Sequence, residues 1–92
     1  MRTIKRTSRF KKDFKREKSS GRHKDLEALL REVIELLLID APLPLNKFDH
    51  DLSGDWKDFR ECHIKPDLLL IYRKPDTECL ELIRLGSHSE LF

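Results

Sequence analysis

The chain reads as an α+β domain of order β-α-α-β-β-β, with two N-terminal helices packed on one face of a small, mainly antiparallel four-stranded sheet. Three observations predict this. Leu26, Leu29, Leu30, Val33, Ile34 and Leu37 recur at the 3.6-residue period of a helix with one buried face. Three strand-like runs crowd the C-terminal third. The links between them, Lys65-Pro66-Asp67 and Lys74-Pro75-Asp76-Thr77, are short enough for hairpins. At 92 residues the chain makes one domain, spanning 1–92.

Thr3-Ile4-Lys5-Arg6 is a short opening strand. Ser8 is the expected N-cap of a first helix over 9–18, with Phe10 and Phe14 forming its apolar stripe. Lys11, Lys12, Lys15, Arg16 and Lys18 cover its other faces, and Ser19-Ser20-Gly21 ends it. Asp25 is positioned to cap a second helix reaching residue 39. Pro42 and Pro44 then stop it, since neither has a backbone N–H. A polar, turn-rich stretch over 46–55 leads to strands expected at 57–64, 68–73 and 78–85. Leu68-Leu69-Leu70-Ile71-Tyr72 is apolar throughout, as a central strand covered on both faces would be.

The formal net charge of +2 conceals an asymmetry. Residues 1–24 hold eleven Lys/Arg against two acids, a net of +9, and residues 25–92 hold eight against fifteen, a net of −7. So dense a basic lobe suits a polyanion, because each phosphate contacted releases counterions. Cys62 and Cys79 have no CxxC spacing and read as core thiols in a reducing compartment. No apolar run approaches the ~20 residues needed to span a bilayer. The charged start, Met1-Arg2-Thr3-Ile4-Lys5, lacks a following apolar segment of the signal-peptide kind. The expectation is a cytoplasmic protein without membrane contact.

Three of the four histidines, His50, His63 and His88, lie in the second half. Strand alternation sends Phe59, Glu61 and His63 to one face and Arg60, Cys62 and Ile64 to the other. The Lys65-Pro66 link keeps Asp67 close to His63. Arg84 alternates with Leu80 and Leu82, and Gly86 allows a turn that swings His88 back over the sheet end. His50, Asp67, Arg84 and His88 are therefore expected around one cleft with His63. Imidazole titrates near neutrality, so such a set can accept one proton and donate another. That suits cleavage of RNA by its own 2′-hydroxyl: one group removes the hydroxyl proton, an arginine neutralises the phosphate, and another group protonates the departing 5′-oxygen. Three histidines and Asp67 are also chemically suitable zinc ligands. No HxH or HxxxH pair fixes two of them on one element, so neither metal nor other cofactor is expected.

The run Asp49-His50-Asp51-Leu52-Ser53-Gly54-Asp55-Trp56-Lys57-Asp58-Phe59-Arg60-Glu61-Cys62-His63, then Pro66-Asp67, Leu70-Ile71-Tyr72 and Arg84-Leu85-Gly86-Ser87-His88-Ser89-Glu90-Leu91-Phe92, resembles the YafQ branch of the RelE/ParE toxin superfamily. The resemblance implies a type II toxin–antitoxin toxin, an endoribonuclease that cleaves mRNA in the ribosomal A site and is silenced by a cognate antitoxin. It carries functional positions onto His50, His63, Asp67, His88 and Phe92. Glu61 stands where relatives place an acid, and Arg60 and Arg84 match family arginines. His63 and Asp67 would serve the 2′-hydroxyl side, His88 would donate, and His50 would position or share the base role. Lys11, Lys12, Lys15 and Arg16 of the first helix would meet ribosomal RNA, and Phe92 would stack on a message base. Two other readings share the fold: a gyrase-inhibiting toxin of the ParE type, and a catalytically silent RNA- or antitoxin-binding module. Gyrase inhibition by binding needs no proton donor, so the histidines speak against it.

Overall fold

The computed structural model describes every residue from Met1 to Phe92. Its elements are β1 (Thr3–Arg6), α1 (Ser8–Ser19), α2 (Leu26–Leu38), a 3-10 turn at Leu45–Lys47, β2 (His50–Asp51), a second 3-10 turn at Gly54–Trp56, β3 (Arg60–Lys65), β4 (Leu68–Arg73), β5 (Cys79–Gly86) and α3 (His88–Leu91). The sheet order is β1-β5-β4-β3-β2. β1 runs parallel to β5, and the other pairings are antiparallel. The class is α+β as expected, with five strands instead of four. The added strand is only two residues long, pairing His50 with Glu61 and Asp51 with Arg60, too short for alternation to reveal.

Several boundaries differ from the sequence reading for local reasons. The α1 cap is Thr7 instead of Ser8. Its hydroxyl accepts from the Phe10 amide at 3.0 Å and donates to the Ile83 carbonyl at 2.7 Å, so one residue ends β1 and starts the helix. Asp25 precedes α2 but makes no side-chain cap; its carboxylate accepts from Lys65 Nζ at 3.1 Å. β3 starts at Arg60, later than expected, because the turn at Trp56 and the left-handed Asp58 (φ 78°) interrupt the extended run.

β4 lies in the middle of the sheet, with Leu68 to Tyr72 all buried. Leu68, Leu70 and Tyr72 point toward the helices, joining Phe10, Leu26, Leu30, Val33, Leu37, Cys62, Ile64, Leu80, Leu82 and Leu85 in the main core. Each such fully buried large side chain contributes about 1.5–3 kcal/mol. Leu69 and Ile71 point to the opposite face, where Leu91, Leu52, Trp56, Phe59 and Ile83 pack on them. Cys62 and Cys79 are free thiols, and burial pushes Cys62 up to about 12. No helix is long and apolar enough to cross a membrane.

The outer edge of β5 is completed in two ways. β1 pairs with it only from Cys79 to Leu82. Beyond that point side chains of α1 take over: Asp13 Oδ2 accepts from the Leu85 amide at 3.0 Å, and Arg16 Nη2 donates to the Leu85 carbonyl at 3.1 Å. Asp13 is 3% exposed and also accepts from Arg84 Nε at 2.7 Å and Arg16 Nη1 at 2.9 Å. Burial alone would raise the Asp13 carboxyl. The Arg84 and Leu85 hydrogen bonds and the nearby guanidinium charges outweigh burial and hold it below the ordinary 3.8. With the folded value below the unfolded one, this stabilisation is fully present above about pH 4 and is lost as pH falls through the folded value. Asp13→Ala should lower the unfolding free energy by about 3 kcal/mol at neutral pH, because it strands Arg84 and the Leu85 amide. Urea denaturation at pH 7 checks this, and the gap to the parent chain should shrink in acid.

Candidate active site

The open face of the sheet, away from α1 and α2, is organised by strand register. His63 pairs with Leu69, and Leu69 with Gly86, so His63 and the end of β5 lie in one cross-strand row. His88 follows two residues later at the start of α3. The His63 and His88 rings stand 6.3 Å apart between centroids, and neither ring makes a hydrogen bond to the protein. A neighbouring row joins His50, Glu61 and Ile71.

His50 and Glu61 form a pre-paired unit. His50 Nδ1 donates to the Phe48 carbonyl at 2.6 Å, and Nε2 lies 3.1 Å from Glu61 Oε2. A carbonyl can only accept, so Nδ1 carries a hydrogen. Nε2 faces the Glu61 carboxyl at ion-pair distance. Nδ1 is therefore no proton acceptor, and Nε2 is engaged by Glu61. Glu61 is 3% exposed, and its Oε1 is buried without a partner.

Aromatic rings extend the line on both sides. Phe48 packs on His63 at 5.3 Å, and Phe92 packs on His88 at 5.8 Å. Trp56 meets Phe92 edge-on at 5.8 Å and Phe59 at 5.6 Å. Phe48 and Phe92 remain 63% and 55% exposed. Phe48 adopts a left-handed backbone (φ 48°), which costs a side chain of this kind roughly 1–2 kcal/mol. His50 steadies that turn through the Phe48 carbonyl.

The other residues anticipated from sequence are distributed unevenly. Asp67 lies exposed in the turn between β3 and β4, and no hydrogen bond or ion pair joins it to His63. Arg84 does not face the histidines with a free charge. Ile71 pairs with Arg84 and Tyr72 with Leu82, leaving Ile83 as the extra residue of a bulge, and the Arg84 guanidinium is held by Asp13. Arg60 projects to the helix side, where it meets Asp49 at 3.1 Å, Asp51, and the Tyr72 hydroxyl at 3.3 Å. Burial opposes its charge, but Asp49 and Tyr72 more than restore it, so its pKa is raised. Arg60 thus pins both aspartates that flank His50. Gly86 matters through space instead of a sharp turn: a Cβ there would come within 3.1–3.2 Å of side-chain atoms of Arg16, Glu90 and Leu91, which would have to give by a few tenths of an ångström. Arg16 is ion-paired with Asp13, Glu17 and Glu90 although its side chain stays 42% exposed, whereas Lys11, Lys12 and Lys15 are exposed and in no ion pair. Trp56 and Phe48 were missed by sequence reasoning. The singularity of Trp56, the only tryptophan, was the available signal. The open-face side chains do not close into a group of three or more that could hold a metal ion.

Residues 2–92 match the family profile described as the bacterial toxin of type II toxin–antitoxin systems, YafQ. The chain belongs to the YafQ toxin family. A YafQ relative, the mRNA interferase toxin YafQ of Escherichia coli strain K12, is 37% identical over 91 residues, 99% of this chain and 96% of its own. Similar solved structures include a copper-bound mutant toxin from Helicobacter pylori, at 47% identity and TM-score 0.92 over the whole of both chains. The E. coli DinJ–YafQ complex matches at 38% identity and TM-score 0.83, covering 100% of this chain and 99% of that one.

Because Phe92 rests on Trp56, Phe92→Ala should shift Trp56 emission to the red while changing stability by less than about 1 kcal/mol. An unchanged spectrum would show that the ring is not docked there.

Proposed function

We propose that this YafQ-family toxin is a ribosome-dependent endoribonuclease that cuts mRNA in the A site through its 2′-hydroxyl. The observation that carries the reading is the pair of unbonded imidazoles, His63 and His88, facing each other at 6.3 Å on an open face between two exposed phenylalanines. The names of the E. coli relatives as mRNA interferases support it.

In this reading a free ring nitrogen of His63 takes the 2′-hydroxyl proton. The 2′-oxygen attacks the adjacent phosphorus, the P–O5′ bond breaks, and His88 protonates the departing 5′-oxygen. The products are a 2′,3′-cyclic phosphate and a 5′-hydroxyl end, so atoms and charge balance without further reactants. His50 positions instead of sharing the base role, since Nδ1 donates to the Phe48 carbonyl and Nε2 is engaged by Glu61. The His50–Glu61 pair instead sets the local field and holds Phe48 beside His63. Asp67, exposed at the β3–β4 turn, remains an acidic group on the 2′-hydroxyl side. Arg84 and Arg60 act on the scaffold, Arg84 through Asp13 and Arg60 through the loop that carries His50. Phe92 offers its open face to a message base, a contact of the kind worth about 1–3 kcal/mol. Lys11, Lys12 and Lys15 supply the cationic surface for ribosomal RNA, and a cognate antitoxin silences the enzyme in the cytoplasm.

Primer extension on a reporter message after induction tests the activity. His63→Ala and His88→Ala should each reduce cleavage roughly 100- to 10,000-fold while antitoxin binding persists. Supercoiling defects without message breaks would instead favour gyrase inhibition. Reversing Lys11, Lys12 and Lys15 to Glu should weaken ribosome association and flatten its salt dependence, measured by co-sedimentation across a salt series. Unchanged sedimentation would show that these lysines form only a solvated face.

A further inference from the structure

α3 contains four residues, too few to hold a helix by itself. It nevertheless carries His88 and leads into Phe92, so something outside it must fix its position. Glu90 supplies two links at once. Its Oε1 accepts from the Ser87 amide at 2.8 Å, closing a capping box with Ser87 Oγ, while its Oε2 lies 3.1 Å from Arg16 Nε. Arg16 is in turn tied to Asp13 at 2.9 Å, to the fully buried Glu17 at 3.0 Å and to the Leu85 carbonyl at 3.1 Å. One planar guanidinium thus joins α1, β5 and α3, a set of acceptors that an ammonium could not reproduce. Gly86 belongs to the same device, since a Cβ would press on Arg16 Nη2, Glu90 Oε1 and Leu91. Arg22 and His23 approach the cluster from the far side, at 3.6 Å and 3.5 Å from Glu17 Oε1, and Arg22 also reaches Glu90 at 4.0 Å.

We propose that Arg16 and Glu90 form a clamp that sets His88 opposite His63, making Arg16 a positioning residue for cleavage and not a contact to RNA. This rests on the nuclease reading of the open face. The Arg16 guanidinium is engaged by three carboxylates, Asp13, Glu17 and Glu90, although its side chain remains 42% exposed. Its influence on the chemistry passes through Glu90 and the α3 cap. Misplacing a proton donor by about an ångström is enough to cost roughly a hundredfold in rate.

The test uses the full-length protein with Glu90→Gln and Arg16→Met. Glutamine keeps an oxygen for the Ser87 amide, so Glu90→Gln removes the clamp without removing the cap. Single-turnover cleavage on programmed ribosomes should slow roughly tenfold to a hundredfold in both variants, with the half-saturating ribosome concentration changed by less than about twofold. In parallel, the nuclear Overhauser contact expected between the His63 and His88 rings of the unaltered protein should weaken in both. A loss confined to half-saturation would overturn the proposal, because it would make Arg16 an RNA contact. So would an unchanged ring contact or an unchanged rate in Glu90→Gln. Should Arg16→Met fail to fold because it strands buried Glu17, Glu90→Gln decides alone, Glu90 being only partly buried. Should the unaltered protein not cut RNA, the nuclease reading falls and the ring contact still judges the clamp.

Discussion

The pairing of β3, β4 and β5 governs the open face. Antiparallel register puts His63, Leu69 and Gly86 in one row and His50, Glu61 and Ile71 in the next, while the pleat sends their neighbours Cys62, Ile64, Leu68 and Leu70 into the helix-covered core. A slip of one residue would exchange the two sets, burying imidazoles and exposing leucines. The apolar free energy of the core therefore holds the histidines on the solvent side. No interaction among the histidines themselves is required to gather them.

The basic N-terminal lobe divides its charges by direction. On α1, Phe10, Asp13 and Glu17 form the buried stripe, an unusual one because two of its three members are acids. Asp13 and Glu17 are tolerated there because Arg84, Arg16 and a backbone amide surround them. Arg16 is consumed in this way, while Lys11, Lys12 and Lys15 stay unpaired. The same helix thus braces the end of β5 from within and presents cations outward. Burying charge in this manner adds little net stability over an apolar core, but loss of any partner leaves an uncompensated charge. The braced end of β5 is also where α3 begins.

Much of the architecture was legible from pattern. The periodic leucines of α2, the uniformly apolar β4 and the Pro-marked hairpins led to the right order of elements, and alternation in β3 correctly separated Glu61 and His63 from Arg60, Cys62 and Ile64. Strand β2 and the terminal helix α3 were not legible, because two residues cannot show a strand period and four cannot show a helical one. The bulge at Ile83 was also hidden; it brings Arg84 into the cross-strand row of Ile71, and it is Asp13 of α1 that takes the guanidinium. Asp67 is close to His63 along the chain yet unbonded to it, since a tight turn fixes backbone separation but not the aim of a side chain.

The amino-acid sequence by itself determined the fold class, the faces of the regular strands and the chemical inventory of imidazoles, carboxylates and cations, because these follow from local periodicity and residue type. Only the tertiary structure decided which of those groups are free. His50 is committed to Phe48 and Glu61, Arg60 to Asp49, Arg84 to Asp13 and Arg16 to Glu90, whereas His63 and His88 keep unbonded rings. The physical reason is that a charged or polar group's availability depends on partners brought from distant parts of the chain, and strand periodicity carries no record of them.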